Sequence, residues 1–294
     1  MTKPMAPLRP RRSVLYMPGS NARALEKARA LPADALILDL DDAVAPLAKE
    51  LARTQVCEAV KAGFGKREVI VRINALSTPW GERDLLAAAA AKPDAILIPK
   101  VSTPHDLHAV EERLARARCD PSLVLWAMVE TPLAILNIAG LAAAGGRLCC
   151  FVMGTNDLVK EIRGHHTPDR LNLAAALGFS VLAARAHGLA IIDGVYNDIQ
   201  DAEGFAAACA QGRSFGFDGK TLIHPSQIEP CSAAFAPSPQ EVDAARKIIA
   251  AFDLPENQGK GAISLDGRMV ELLHAEIAKQ TVALADAIAA LEAA

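Results

Sequence analysis

Glu130 and Asp157 each stand just beyond an aliphatic run, Leu123 to Val129 for the first and Leu148 to Gly154 for the second. Two carboxylates completed by water or substrate oxygens are what Mg²⁺ usually takes from a protein, and neither residue is spaced like a zinc ligand. Taken singly, each has a plainer reading: Glu130 as a charge at a helix N-terminus beside Thr131-Pro132, and Asp157 as an N-cap. Arg72 emerges in the same way from Val69-Ile70-Val71. A buried guanidinium needs an anion, supplied either by a substrate carboxylate or by one of Asp39, Asp41 and Asp42, which end the run that starts at Ala35. Alternation along an extended segment puts Asp39 and Asp41 on one face and Asp42 on the other. These aspartates, with Lys100 at the end of Ala95 to Pro99, are expected to support the ligands and Arg72 from behind. Gly154-Thr155-Asn156 precedes Asp157, and backbone amides opening a helix there would suit a carboxylate or carbonyl oxygen.

The elements that must position these residues follow from the runs themselves. Apolar stretches too short for helices, separated by Ala- and Leu-rich stretches of helical length, predict parallel strands buried on both faces. From Val14 to the segment before His224 there are about eight such units, the number that closes a TIM (β/α)8 barrel, an α/β fold. The carboxyl ends of the strands then share one mouth, and residues scattered in sequence converge there. A doubly wound open sheet is the alternative, but it would gather its site at one switch point. Gly219-Lys220-Thr221 lacks the first glycine of a phosphate loop and leads into a strand, which argues against a nucleoside triphosphate. Among the histidines, only His224 is placed like the mouth residues.

The chain has 294 residues, 51% hydrophobic and 4% aromatic, enough for one aliphatic barrel and an appendage. A net charge of -3 without a basic stripe argues against nucleic acid. Six cysteines without CxxC spacing read as reduced packing residues. No segment resembles a signal peptide or a membrane span, so a cytoplasmic enzyme with no membrane partner is expected. Residues 1–12, Pro-rich and basic, are expected to form a mobile arm whose Arg9, Arg11 and Arg12 could reach a phosphate. The barrel is expected over 13–236 and a C-terminal extension over 237–294: a helix from Pro239 to Phe252, a loop, a short strand and turn from Gly261 to Arg268, and one long helix from Met269. That extension is too small for its own core and is expected to pack on a barrel, its own or a neighbour's.

Arg12-Ser13-Val14-Leu15-Tyr16-Met17-Pro18-Gly19-Ser20-Asn21, Asp39-Leu40-Asp41-Asp42-Ala43-Val44, Val71-Arg72-Ile73-Asn74, Pro99-Lys100-Val101, Val129-Glu130-Thr131, Gly154-Thr155-Asn156-Asp157-Leu158 and Gly216 to Pro225 together resemble the citrate lyase β-subunit-like family of CoA-ester lyases. The resemblance runs in order from Arg12 into the last helix. It implies a Mg²⁺-dependent TIM barrel with a C-terminal lid, a homotrimer or hexamer that cleaves citramalyl-, malyl- or citryl-CoA to acetyl-CoA and a 2-oxo acid. Glu130 and Asp157 would hold the metal, Arg72 would contact substrate, and Gly154, Thr155 and Asn156 would cradle the oxo acid. Lys220, His224 and Pro225 would line the coenzyme A site, with Arg12 as a further phosphate contact. Glu271, in Gly267-Arg268-Met269-Val270-Glu271, stands where relatives carry an acid/base aspartate. This departure weighs against malate-synthase-like or malyl thioesterase side activity more than against the lyase reaction. Asp41 also departs, since relatives have Glu there. Two other readings stay open: a CoA-independent aldolase of 2-oxo acids, and a citrate lyase β subunit acting on a carrier-protein thioester.

Overall fold

The computed structural model describes residues 9–293. Eight strands, β1 Ser13–Pro18, β2 Ala35–Asp39, β3 Glu68–Arg72, β4 Ala95–Ile98, β5 Val124–Val129, β6 Leu148–Met153, β7 Ala190–Asp193 and β8 Gly219–Leu222, pair in sequence order. All pairs are parallel, and β8 returns to β1 to close the barrel. The intervening helices are α1 Ala22–Ala28, α2 Lys49–Ala62, α3 Gly81–Ala91, α4 Pro104–Arg116, α5 Pro132–Leu136, α6 Ile138–Ala143, α7 Thr155–Glu161, α8 Ala174–Ala186, α9 Ala202–Phe215 and α10 Ile228–Phe235.

The strands read as unbroken apolar runs because both of their faces are buried. In β2, Ala35 and Ile37 belong to the barrel's inner cluster with Ile70, Leu97, Trp126 and Val152, while Leu36 and Leu38 pack in the outer layer with the helices. Full burial of each such side chain is worth about 1.5–3 kcal/mol, so the inner and outer layers both hold each strand in register. With that register fixed, Asp39 at the end of β2 and Arg72 at the end of β3 are forced side by side.

The opposite, N-terminal end of the barrel is closed by ion pairs. Arg11 binds Glu68 through Nε at 2.6 Å and Nη2 at 2.7 Å, and its guanidinium lies 4.9 Å from the centroid of the Trp126 ring. Arg12 is buried and binds Asp34 through Nε and Nη2 at 2.9 and 2.8 Å. This corrects two expectations. Arg11 and Arg12 are anchored rather than part of a mobile arm, and Arg12 is at the wrong end of the strands to meet a ligand at the mouth. Residues 1–8 of the expected arm lie outside the described residues.

From Ala236 the chain forms a separate compact unit. It contains α11 Pro239–Asp253 and α12 Leu272–Glu292, with a hairpin of β9 Ala262–Leu265 and β10 Arg268–Glu271 between them. Ser238 caps α11 in a reciprocal box with Glu241. The helix expected from Met269 starts three residues later. Asp266 and Gly267 take φ of 50° and 75°, the two left-handed residues of a tight hairpin turn, and the second strand of that hairpin claims Arg268 to Glu271. Among the described residues, no helix is long and apolar enough to cross a membrane.

Candidate active site

A cavity of about 310 Å³ opens at the carboxyl ends of the strands, within the range usual for small-molecule sites. Arg72 organises one side of it. The guanidinium grips Asp39 in a two-point fork, Nε to Oδ1 at 2.7 Å and Nη2 to Oδ2 at 2.6 Å, and Nη1 reaches Asp42 Oδ2 at 2.9 Å. The aromatic ring of Tyr16 lies under it, 4.9 Å from the guanidinium carbon to the ring centroid. Asp39 and Asp42 therefore share Arg72, and the expected pairing of Asp39 with Asp41 is corrected. The extended backbone stops at Asp39, whose carboxylate accepts the amides of Asp41 and Ala43 at 2.8 and 3.1 Å. That turn brings Asp42 back toward the mouth and leaves Asp41 outside the cavity lining.

The Asp41 carboxylate lies 3.9 Å from the Lys49 ammonium, which is itself bonded to the carbonyls of Leu40 and Asp41 and to Asn74. Burial, only partly offset by Arg72, raises the Asp41 carboxyl to about 6 from its ordinary 3.8. The folded protein thus holds this proton more tightly than the unfolded chain does. Ionisation of Asp41 costs stability as pH rises from about 4 to about 6, and the cost persists above that. Asp41→Asn is therefore expected to raise the melting temperature at pH 8 by a few degrees and to leave it unchanged at pH 3.5. Scanning calorimetry at the two pH values checks this, and equal shifts at both would refute the assignment.

On the other side of the cavity, Glu130 is buried at the end of β5 and Asp157 lies in the first turn of α7. Thr131, not Asp157, acts as an N-cap, accepting the amide of Ala134 at the start of α5. Lys100 ties the two carboxylates together: its Nζ is 2.7 Å from Asp157 Oδ1 and 3.7 Å from Glu130 Oε1. Its backbone N–H donates to the same Glu130 oxygen at 2.7 Å. Burial pushes the Glu130 carboxyl well above its ordinary value, against the opposing charge of Lys100. Such a group is made ionic by bringing positive charge to it. Gly154 is required for sterics alone: a Cβ there would run into the Glu130 Cβ and come within 2.5 Å of its Oε2.

This donor set fits a hard divalent cation. Two carboxylates converge on a point where an ammonium ion now rests, with no sulfur among the cavity-lining ligands except the thioethers of Met128 and Met153. Among the described residues no group of three or more His, Cys, Asp and Glu gathers elsewhere as a metal site. A two-carboxylate site leaves the remaining positions to water and substrate oxygens.

Other expected site residues fall differently. Gly154, Thr155 and Asn156 line the cavity, but the Gly154 amide is spent on the carbonyl of Val129 at 3.0 Å, continuing the strand ladder. The Asn156 side chain is held in a reciprocal pair with Asn197 at 3.0 and 2.9 Å. Lys220 is a correction. It points away from the mouth into the layer between strands and helices, 1% exposed, where it binds Asp193 at 2.9 Å. Arg170 grips the same carboxylate with two bonds of 2.8 Å, so the β8 lysine is a buried structural ion and not part of a coenzyme wall. His224 and Pro225 are exposed just beyond β8, with His224 Nδ1 2.8 Å from Ser226 Oγ. Glu271 belongs to the C-terminal unit, where it caps α12 in a reciprocal box with His274.

Tyr16 was not singled out by its sequence, yet its side chain lines the cavity. Burial holds its phenol above the ordinary value, so the hydroxyl stays a neutral donor, with the Met128 sulfur at 3.9 Å as a weak partner. The cue was available: Tyr16 shares an inward face of β1 with Val14, two residues before it.

A model of the HpcH/HpaI aldolase/citrate lyase family matches residues 12–225. The chain is 54% identical over 285 residues to (3S)-malyl-CoA thioesterase of Cereibacter sphaeroides (strain KD131 / KCTC 12085), covering 97% of this chain and 98% of that one. It is 36% identical over 269 residues to citrate lyase subunit beta of Escherichia coli (strain K12), covering 90% and 89%. Among solved structures, protein CitE from Mycobacterium tuberculosis in complex with magnesium, acetoacetate and coenzyme A superposes with a TM-score of 0.75 at 29% identity. The match covers 94% of this chain and 99% of that one.

Proposed function

Because the chain belongs to the HpcH/HpaI aldolase/citrate lyase family and is similar to a relative named for malyl-CoA, we propose that it is a Mg²⁺-dependent enzyme acting on a malyl-type 3-hydroxy-3-carboxyacyl-CoA. The observation that carries this reading is the 54% identity, over nearly the whole of both chains, to (3S)-malyl-CoA thioesterase. Hydrolysis of the thioester is accordingly the first assignment: a water oxygen bonds to the thioester carbon, the C–S bond breaks, and the departing thiolate takes the proton. That relative weighs against the expectation, drawn from Glu271, that thioester hydrolysis is disfavoured. Carbon–carbon cleavage to acetyl-CoA and a 2-oxo acid is the second reading, favoured by the citrate lyase β relatives.

Both reactions develop negative charge on an oxygen of the acyl group, and the mouth is built for that. Mg²⁺, when bound, supplies Lewis-acid polarisation of substrate oxygens. Glu130 and Asp157 are the residues that would hold it. Arg72 faces the cavity as a fixed positive charge that needs no reorganisation during the reaction, because Asp39 and Asp42 hold its guanidinium before substrate arrives. The cavity suits a four-carbon acyl group, and the rest of coenzyme A is assigned to the rim beside His224 and Pro225. Two assignments come with the family alone: proton transfer by Glu271, and assembly as a homotrimer or hexamer.

The deciding test incubates the protein with malyl-, citramalyl- and citryl-CoA, with Mg²⁺ or with EDTA, and measures free thiol and acetyl-CoA separately. Mg²⁺-dependent free CoA supports hydrolysis, and Mg²⁺-dependent acetyl-CoA supports the lyase reading. Absence of both from every ester would overturn the proposal. A second expectation follows from the packing of Gly154. Gly154→Ala should lower turnover about 100-fold by displacing Glu130, while far-ultraviolet circular dichroism stays that of the wild type; turnover within threefold of wild type would show that the close approach is dispensable.

A further inference from the structure

The point between Glu130 and Asp157 is already taken by a cation of the protein's own. Lys100 reaches it with two different groups that do separate things. The backbone amide fixes Glu130 Oε1 at 2.7 Å, and this bond is independent of where the side chain goes. The ammonium group bridges Asp157 at 2.7 Å and Glu130 at 3.7 Å on a flexible stem whose side chain is 38% exposed. Lys100 also takes a left-handed backbone, φ 55°, a conformation that costs a lysine of order 1 kcal/mol or more; in it the amide meets Glu130 while the ammonium meets Asp157.

We propose that Lys100 is a resident counter-ion for the metal-binding carboxylates, and that Mg²⁺ enters by displacing its ammonium group. This rests on the assignment of Glu130 and Asp157 as the metal ligands. Without any cation between them, two carboxylates facing one point repel each other, and buried Glu130 keeps only the Lys100 amide and the charge of Arg72 to favour its ionised form. The ammonium removes that conflict and keeps both side chains converged in the metal-free protein. The same arrangement weakens metal binding, because the ion must break the ammonium pairs and then share the mouth with a displaced like charge. Lys100 is thus a positioning residue that trades metal affinity for an assembled empty site.

Mg²⁺ titration calorimetry on the wild type, Lys100→Met and Lys100→Arg tests this. Lys100→Met should bind Mg²⁺ roughly tenfold more tightly, and Lys100→Arg, which keeps the charge, should stay within about threefold of wild type. In the wild-type protein, labelling of Lys100 by an amine-acetylating reagent, read by peptide mass spectrometry, should speed up several-fold at saturating Mg²⁺. Equal or weaker binding by Lys100→Met, or labelling that Mg²⁺ leaves unchanged or slows, overturns the counter-ion role while leaving the metal site intact. A wild type that takes up no Mg²⁺ overturns the metal assignment and this inference with it.

Discussion

Glu130→Gln should remove Mg²⁺-dependent turnover, by on the order of 1,000-fold or more, without lowering the melting temperature. The two halves of this expectation come from one fact, that Glu130 is 1% exposed. Burial opposes its charge, so an amide of the same shape relieves the folded protein of a desolvated carboxylate and keeps an acceptor for the Lys100 amide. The same change removes the charge that a divalent ion requires. Asp157→Ala should match it in activity, since a site with two protein ligands loses half its protein donors with either. Calorimetric Mg²⁺ titration and the thioester assay, run on both variants beside thermal melts, check the pair. Retention of a tenth of wild-type activity in both would sink the metal assignment.

Arg72 is expected to split stability from catalysis in another way. Arg72→Lys keeps a charge but not the planar fork that holds Asp39 by two bonds and Asp42 by a third, and kcat/KM should fall about 100-fold or more. Arg72→Met leaves the fully buried Asp39 carboxylate without its partner, which costs about 3–5 kcal/mol. Adding Asp39→Asn to Arg72→Met should recover most of that stability and none of the activity. Denaturant unfolding of the single and double variants separates the two effects. Recovery of activity in the double variant would mean that Arg72 only props up the fold.

The barrel was legible because burial on both faces of every strand leaves a signal independent of helix details, and the carboxyl-end residues Arg72, Glu130 and Asp157 were legible because the fold brings all such ends to one mouth. The family resemblance read from the same motifs agrees with the match over 12–225. What failed was local. The family resemblance implies Lys220 in the coenzyme A wall, yet strand alternation turns it to the outer layer beside Asp193. The Asp39 and Asp41 pairing assumed extended backbone beyond the point where the Asp39 carboxylate captures two amides and turns the chain. The Asp266-Gly267 turn was readable as a hairpin signal, but the Ala-rich sequence after it favoured a longer helix. Arg12 precedes β1 rather than following a strand, and that position alone places it at the end opposite the chemistry.

The closing pair of strands sets a timetable for how this chain is made. Ser13, Val14 and Leu15 hydrogen-bond alongside Lys220, Thr221 and Leu222, while the thiol of Cys231 and the hydroxyl of Ser232 on α10 reach back to Arg12 and Ser13. The first strand of the barrel to be synthesised therefore waits for the last strand of the barrel. At about 5–20 residues per second, one edge of β1 stays open for roughly 10–40 seconds of synthesis. During that interval the seven preceding units present an apolar sheet edge to the cell, and release from that exposure comes only once α10 has been translated.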